Sequence, residues 1–239
     1  VYSMLALSLT FQQKESMGAD FTLADMTLNN GTGMNNGVNA YDQSDRPSVT
    51  ISSNQCVELN GTTDFLTGPD NPDVSPVNAV TLEAWIYPRN VTGTKIIIQK
   101  GQTDINYNLR MTGNLLSANI NELVNFVSTK PITANIWTHV AFTYNSTNGK
   151  YAFYTNGIKT GEGTNSAGPV INGSENLFIG SNGNSLYFFN GFLDEIRISN
   201  YAKSEIEVQR FMYQSIDEAN EPNSGGVNVV YNLDGYAYD

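Results

Sequence analysis

The sequence predicts an all-β protein, an antiparallel β-sandwich with one short C-terminal helix. Three observations carry that prediction. Apolar and polar residues alternate with period two in several runs, which puts successive side chains on opposite faces of a strand. These runs are short and are divided by turns rich in Asn, Gly and Pro. Only one stretch combines the start signal and the apolar spacing of a helix. At 239 residues the chain can bury a core of its own and needs neither metal nor disulfide to fold.

The first run is N-terminal. Ser3, Leu5, Leu7, Leu9 and Phe11 share one face, and Met4, Ala6, Ser8 and Thr10 the other. Val80 to Tyr87 repeats the alternation and stops at Pro88, which has no N–H to give to a ladder. Lys95 to Lys100 holds the β-branched run Ile96-Ile97-Ile98. Trp137 to Tyr144 and Lys150 to Thr155 flank the loop Asn145-Ser146-Thr147-Asn148-Gly149, which reads as a hairpin, and Asn156-Gly157 marks a second. Leu177 to Gly180 and Gly191 to Ile198 supply further strands. Ser204 with Glu207 three residues on is a capping box, and Ile206, Val208, Phe211 and Met212 give its helix an apolar side ending near Tyr213. Residues 1–213 therefore read as one domain and 214–226 as a flexible acidic linker. Residues 227–239 read as a terminal strand. That strand either opens a further repeat, is donated to a neighbouring copy, or folds back on its own sheet.

Composition excludes several function classes. Twelve Lys and Arg stand against 23 Asp and Glu, a net charge of −11, so a nucleic-acid partner is not expected. No apolar run approaches the roughly 20 residues of a membrane helix, so no membrane insertion is expected. The first residue is Val1, which is read as a processed product or an excised piece. Cys56 is the only cysteine. It can build neither an internal disulfide nor a cysteine zinc site, and reads as a small buried apolar residue. Charged residues are only 15% of the chain, with uncharged polar residues in their place, a balance similar to that of microbial surface proteins.

A family resemblance emerges from particular residues. Leu177-Phe178-Ile179-Gly180, Phe189-Asn190-Gly191-Phe192-Leu193-Asp194-Glu195-Ile196-Arg197-Ile198, Tyr201-Ala202-Lys203-Ser204 and Glu205-Ile206 are together similar to the closing signature of laminin-G-like, concanavalin A-like jelly-roll domains. Val80 to Ile86 resembles the first core strand of that family. Trp137-Thr138-His139-Val140-Ala141, with Tyr154-Thr155-Asn156-Gly157, resembles its central hairpin, and Leu59-Asn60-Gly61 with Asp64-Phe65 its opening motif. Leu5 to Phe11 followed by Asn29-Asn30-Gly31-Thr32, and Val229 to Asp239, both look like the start of such a unit. Gln12-Gln13 departs from the acid expected after the first strand.

The resemblance implies a jelly roll, with Trp85 and Trp137 at core positions. It also implies a structural calcium ion, for which Asp194 and Asp64 match the acids of the closing and opening motifs. Asn, Asp and backbone oxygens suit that ion; the alternative is that both acids accept backbone hydrogen bonds at strand ends. The fold's usual ligand is carbohydrate, for which Tyr107 and Tyr187 are candidate contacts among 13 tyrosines. Catalysis is not expected. The Glu-x-Asp-x-x-Glu strand of the related glycosidases is missing, Asp194 and Glu195 are adjacent and should leave opposite faces, and His139, the sole histidine, lies in a core-type strand. Asn30, Asn60, Asn90, Asn145 and Asn172 each begin an Asn-x-Ser/Thr sequon and are candidate glycosylation sites.

The reading from sequence is therefore a non-catalytic extracellular module of a cell-surface or filament-forming protein. Its expected partners are copies of itself, through the terminal strand or tandem repeats, and glycans. The alternative is a carbohydrate-binding module of a larger glycoside-active enzyme.

Overall fold

Two antiparallel sheets stack face to face in a computed structural model that describes residues 27–29, 40–42, 55–70, 72–122, 124–165, 167–183, 186–213 and 227–231. In chain order the strands are β1 (Thr27–Asn29), β2 (Ala40–Asp42), β3 (Gln55–Asn60), β4 (Phe65–Gly68), β5 (Ala79–Pro88), β6 (Thr94–Lys100), β7 (Tyr107–Thr112) and β8 (Leu115–Ile120). They continue with β9 (Val124–Pro131), β10 (Thr138–Asn145), β11 (Lys150–Thr155), β12 (Ile158–Thr164), β13 (Leu177–Ile179) and β14 (Asn190–Ser199). Helix α1 (Glu205–Phe211) and β15 (Val227–Tyr231) complete the order. The seven-stranded sheet runs β1-β4-β13-β6-β7-β8-β9, and the eight-stranded sheet runs β12-β11-β10-β5-β14-β3-β2 with β15 added to β14.

Alternation decides which side chains meet between the sheets. Leu82, Ala84 and Ile86 of β5, with Val140, Phe142 and Tyr144 of β10, join Leu109 and Met111 of β7 and Leu116, Ala118 and Ile120 of β8 in one buried cluster. Each fully buried aliphatic chain stabilises by about 1.5–3 kcal/mol relative to exposure. The two expected hairpins are present: β10 pairs β11 from Val140↔Thr155 to Asn145↔Lys150, and β11 pairs β12 across Asn156-Gly157. Both turn residues have positive φ, 50° and 74°, the backbone that this dipeptide tolerates best.

The helix begins where the capping box placed it. Ser204 is its N-cap, with both reciprocal hydrogen bonds to Glu207 formed. Val208 and Phe211 are buried, but Ile206, expected on the apolar side, is 75% exposed. Val208 packs with Ala141, Ala152 and Tyr154, so the helix lies on the outer face of the eight-stranded sheet. The Trp85 indole N–H donates to the Met212 carbonyl at 2.8 Å and fastens the chain beyond the helix. Trp85 and Trp137 are buried as expected, yet outside the core between the sheets. They form a separate cluster with Cys56, flanked by Tyr87, Phe192 and Tyr213.

Strand β14 is the seam. It pairs β5 along one edge, and along the other it pairs β3 from Asn190 to Leu193 and then β15 from Ile196 to Ser199. A register shift between Asp194 and Arg197 coincides with φ of +49° at Glu195, the signature of a bulge. The terminal strand Val227–Tyr231 is thus seated on its own chain, where β3 has ended. The proposed N-terminal strand Leu5 to Phe11 and the linker 214–226 lie outside the described residues.

Candidate functional site

The outer face of the seven-stranded sheet carries a line of six residues, four of them amides. Pairing registers place Thr67, Phe178, Gln99, Asn108, Asn119 and Asn125 side by side across β4, β13, β6, β7, β8 and β9. Their neighbours along each strand point the other way: Leu66, Leu177, Ile98, Tyr107, Leu109, Ala118 and Phe126 all belong to the core between the sheets. The line spans five strand spacings, roughly 24 Å.

Hydrogen bonding along it is incomplete. Asn108 Nδ2 donates to Gln99 Oε1 at 3.4 Å, and Gln99 Nε2 donates to the Gly101 carbonyl at 2.9 Å. Asn108 Oδ1 and Asn119 Oδ1 are buried without a hydrogen-bond partner, in a class of atom that folded proteins nearly always satisfy. Beside the line, Arg110 pairs in register with Ser117, and Ser117 with Val127. Arg110 Nε donates to Ser117 Oγ at 3.2 Å and Nη2 to Asn125 Oδ1 at 3.0 Å. Burial holds the guanidinium below its usual pKa range, and the nearby Tyr187 phenol partly offsets this.

The deep end of the line is Gln99 and Asn108, at 1% and 0% exposure. The face opens at the exposed residues Asn125 and Thr112, half-buried Arg110 and Tyr187, which is 49% exposed. Tyr187 sits in the loop between β13 and β14 at φ of +59°, and its carbonyl accepts from the Ile96 N–H at 2.9 Å. On the other flank, Phe65 lies 6.3 Å from Phe178 and 6.2 Å from Phe188 between ring centroids. Planar amides offer both donor and acceptor to a hydroxyl, and rings offer a stacking surface to the apolar face of a sugar.

The residues proposed from sequence are scattered. Tyr107 is corrected: it is the first residue of β7, fully buried, and its hydroxyl donates to the Val74 carbonyl at 2.8 Å. It cannot touch a sugar, because alternation puts it inward with Leu109 and Met111. Tyr187 is on the candidate face. Asp64 is fully buried; its carboxylate accepts from the Asn60 N–H at 3.1 Å, Asn60 Nδ2 at 2.8 Å and Thr63 Oγ1 at 3.0 Å. Asp194 Oδ1 accepts from the Glu195 N–H at 2.7 Å. The two acids do not gather at one centre. Asn60, which leads the Asp64 loop, is opposite Asn190, and Asp194 lies four residues further along β14, about 13 Å away. Among the described residues no group of three or more His, Cys, Asp or Glu could hold a metal. The bulge also changes the expectation for Asp194 and Glu195: Glu195 is turned so that its carboxylate meets Arg197 Nη2 at 2.8 Å.

The sequons differ in what their amides do. Asn172 is exposed, and Asn90 and Asn145 are half-buried. Asn145 Oδ1 accepts from the Thr147 N–H at 2.9 Å. Asn60 Nδ2 already serves Thr63 and Asp64, so a glycan there would disrupt the turn. Asn30 lies outside the described residues.

His139 belongs to a buried charged cluster under the helix. Glu83 Oε2 is 2.8 Å from Lys203 Nζ, and Glu83 Oε1 is 3.8 Å from His139 Nε2. Burial pushes the Glu83 carboxyl up, but Lys203, His139 and Arg197 outweigh it and hold it below the usual range. Burial drives His139 down to about 3, against the pull of Glu83 and with Arg197 and Lys203 pushing the same way. The imidazole is neutral at neutral pH, and its setting is that of a helix anchor.

Sequence reasoning missed Gln99, Asn108, Arg110, Ser117, Asn119 and Asn125. The signal was present: Tyr-Asn-Leu-Arg-Met-Thr and Leu-Leu-Ser-Ala-Asn-Ile alternate around Gly113-Asn114, a third hairpin whose outward positions other than Leu115 are all polar or charged.

With this geometry in view, comparison with known proteins is informative. A laminin G family model, described as the concanavalin A-like lectin/glucanases superfamily, matches residues 60–209. No curated protein matches the sequence. Among solved structures, a Bacteroides ovatus protein assigned to carbohydrate binding has a TM-score of 0.62 at 23% identity, covering 76% of this chain and 54% of its own. The chain thus spans about half the length of that protein. Domain 4 of AbnA, an extracellular GH43 arabinanase from Geobacillus stearothermophilus solved with arabinotriose, has a TM-score of 0.59 at 21% identity, covering 77% of this chain and 85% of its own. A heptameric pentraxin from Limulus polyphemus follows at 0.54 and 18%, covering 64% and 78%. At these identities the likeness establishes the fold.

Proposed function

We propose, for a chain that belongs to the concanavalin A-like lectin/glucanases superfamily, that it is a non-catalytic carbohydrate-binding module acting outside the cell, at a surface or within a larger glycoside-active protein. The observation that carries the reading is the open end of the amide line, where Asn125, Thr112, Arg110 and Tyr187 converge. Hydroxyl-bonding groups and an exposed ring there match what a sugar needs. The neighbouring folds assigned to carbohydrate binding support the same reading. Asp64 and Asp194 are not proposed as calcium ligands, since each is engaged locally by backbone N–H groups.

The test is affinity electrophoresis through gels holding soluble arabinan, xylan, pectin or β-glucan. The wild-type chain is retarded by at least one polysaccharide, and the double variant Asn125→Ala/Tyr187→Ala migrates at least tenfold closer to the free mobility. Equal retardation of both proteins rules out this face.

Assembly is a second reading, supported by one observation. Strand β15 is the last described element and, among the described residues, pairs only with β14, over four residue pairs, so copies could exchange it without new contacts. Light scattering across a hundredfold concentration range tests the exchange, and a monomer at every concentration removes it.

A further inference from the structure

We infer that the open face selects glycans bearing a carboxylate, with Arg110 as the residue that pairs with it. The inference rests on the carbohydrate reading above and narrows its ligand class.

The charge of Arg110 is unbalanced among the described residues. In a chain of net charge −11, three buried cations have acids beside them, whereas buried Lys95 forms no ion pair among the described residues. Arg197 meets Glu195, Lys203 meets Glu83 and Lys100 meets Asp70, and the exposed Arg89 meets Glu58. Arg210 is exposed on α1, over the Phe211 ring. Arg110 is half-buried, and its hydrogen-bond partners among the described residues are an alcohol and an amide, Ser117 and Asn125. Both are neutral. A cation withdrawn from water without a counter-charge is disfavoured, and native proteins supply one. Among the described residues nothing accepts from Nη1, so the fork keeps donors for an incoming planar acceptor.

The surroundings restrict what that acceptor can be. Asn125, Thr112 and Tyr187 are groups for hydroxyls. A polyanion such as a nucleic acid would meet the field of the remaining acids along its length. One carboxylate on an otherwise neutral sugar meets that field at a single point, and charges beyond about 8 Å are screened at physiological salt. Uronic acids and sialic acids share this chemistry.

The test compares four probes by isothermal titration: trigalacturonate, its methyl ester, sialyllactose and lactose. The wild-type chain binds one acidic probe roughly tenfold to a hundredfold more tightly than its neutral counterpart, as expected for a charge-assisted pair, and which acid wins separates the two sources. Arg110→Gln abolishes the difference between acidic and neutral probes, while Arg110→Lys restores part of it; the melting curve of each variant confirms folding. Equal wild-type affinity for acid and ester, or an acid preference that survives Arg110→Gln, overturns the inference and leaves the carbohydrate reading standing. Should all four probes fail while a neutral polysaccharide retards the chain in the gel, the inference alone falls. Should nothing in either assay bind, both fall. The wild-type acid-versus-ester comparison needs no variant, so a misfolded substitution cannot shelter the idea.

Discussion

The outer faces of the two sheets are built from the same alternation and end up opposite in character. On the eight-stranded sheet, Glu83, Lys203, Glu195 and Arg197 are buried beside opposite charges, and the segment through α1 lies over Trp85, Ala141 and Tyr154. On the seven-stranded sheet, among the described residues, Asn108 and Asn119 hold unpartnered oxygens, and Arg110 bonds only to neutral Ser117 and Asn125. Each face has orphan atoms, His139 Nδ1 among them. The difference is that charge is answered by charge under the helix and is left unanswered on the amide face. The first is what a structural anchor needs, and the second what a ligand can complete.

Substitutions should separate the faces, beginning with the charged cluster. Lys203→Met leaves Glu83 buried without its ammonium and lowers stability by about 3–5 kcal/mol in urea unfolding. Arg110→Gln, on the other face, costs under about 1 kcal/mol. Equal losses would abolish the contrast. Removing residues 214–239 takes β15 from the edge of β14 and lowers stability by about 2–6 kcal/mol, from four paired residues at roughly 0.5–1.5 kcal/mol per bond. Unchanged melting would mean that the strand adds nothing to its own sheet.

Acid should act on the helix-covered face. His139 is held near 3 in the folded chain against about 6.5 when unfolded. Its contribution is fully present above pH 6.5 and declines as pH falls toward 3, because the unfolded chain binds the extra proton. Glu83, also depressed when folded, adds a loss of the same sign below its unfolded value near 4.5. Urea titrations from pH 7 to 4.5 should show stability falling with acid, and His139→Gln should flatten that slope by up to about 1.4 kcal/mol per pH unit. A slope that His139→Gln leaves intact would place the acid sensitivity elsewhere. The smallest effect belongs to the cap: Ser204→Ala costs about 1 kcal/mol by freeing the Glu207 N–H, read as a small shift of the same urea midpoint.

What could be read from the chain alone varied with how local the signal was. The Asn145 and Asn156 hairpins, the Pro88 strand end and the Ser204 cap rest on turn and capping chemistry within a few residues, and all stand where the sequence put them. Burial of Cys56 likewise followed from its strand setting. Tyr107 was misplaced because its flanks look loop-like, whereas its facing is set by Leu109 and Met111. Ile206 lies on the side of α1 that the sheet does not reach. The amide line was invisible because its members come from six strands and only the pairing registers bring them together.

The sequence by itself determined the period of each strand, the turns between strands and the start of the one helix, since backbone preferences and side-chain alternation act over a few residues. Tertiary structure decided which outward face would be covered and which left open. Only when β14 laid Arg197 against Glu83 and the 200–213 segment came down over them did those charges find partners. Across the sandwich, β7, β8 and β9 lined up Asn108, Asn119 and Asn125 beside Arg110, which pairs with no acid among the described residues. Electrostatic balance is a property of neighbours in space, and those neighbours are chosen by the fold.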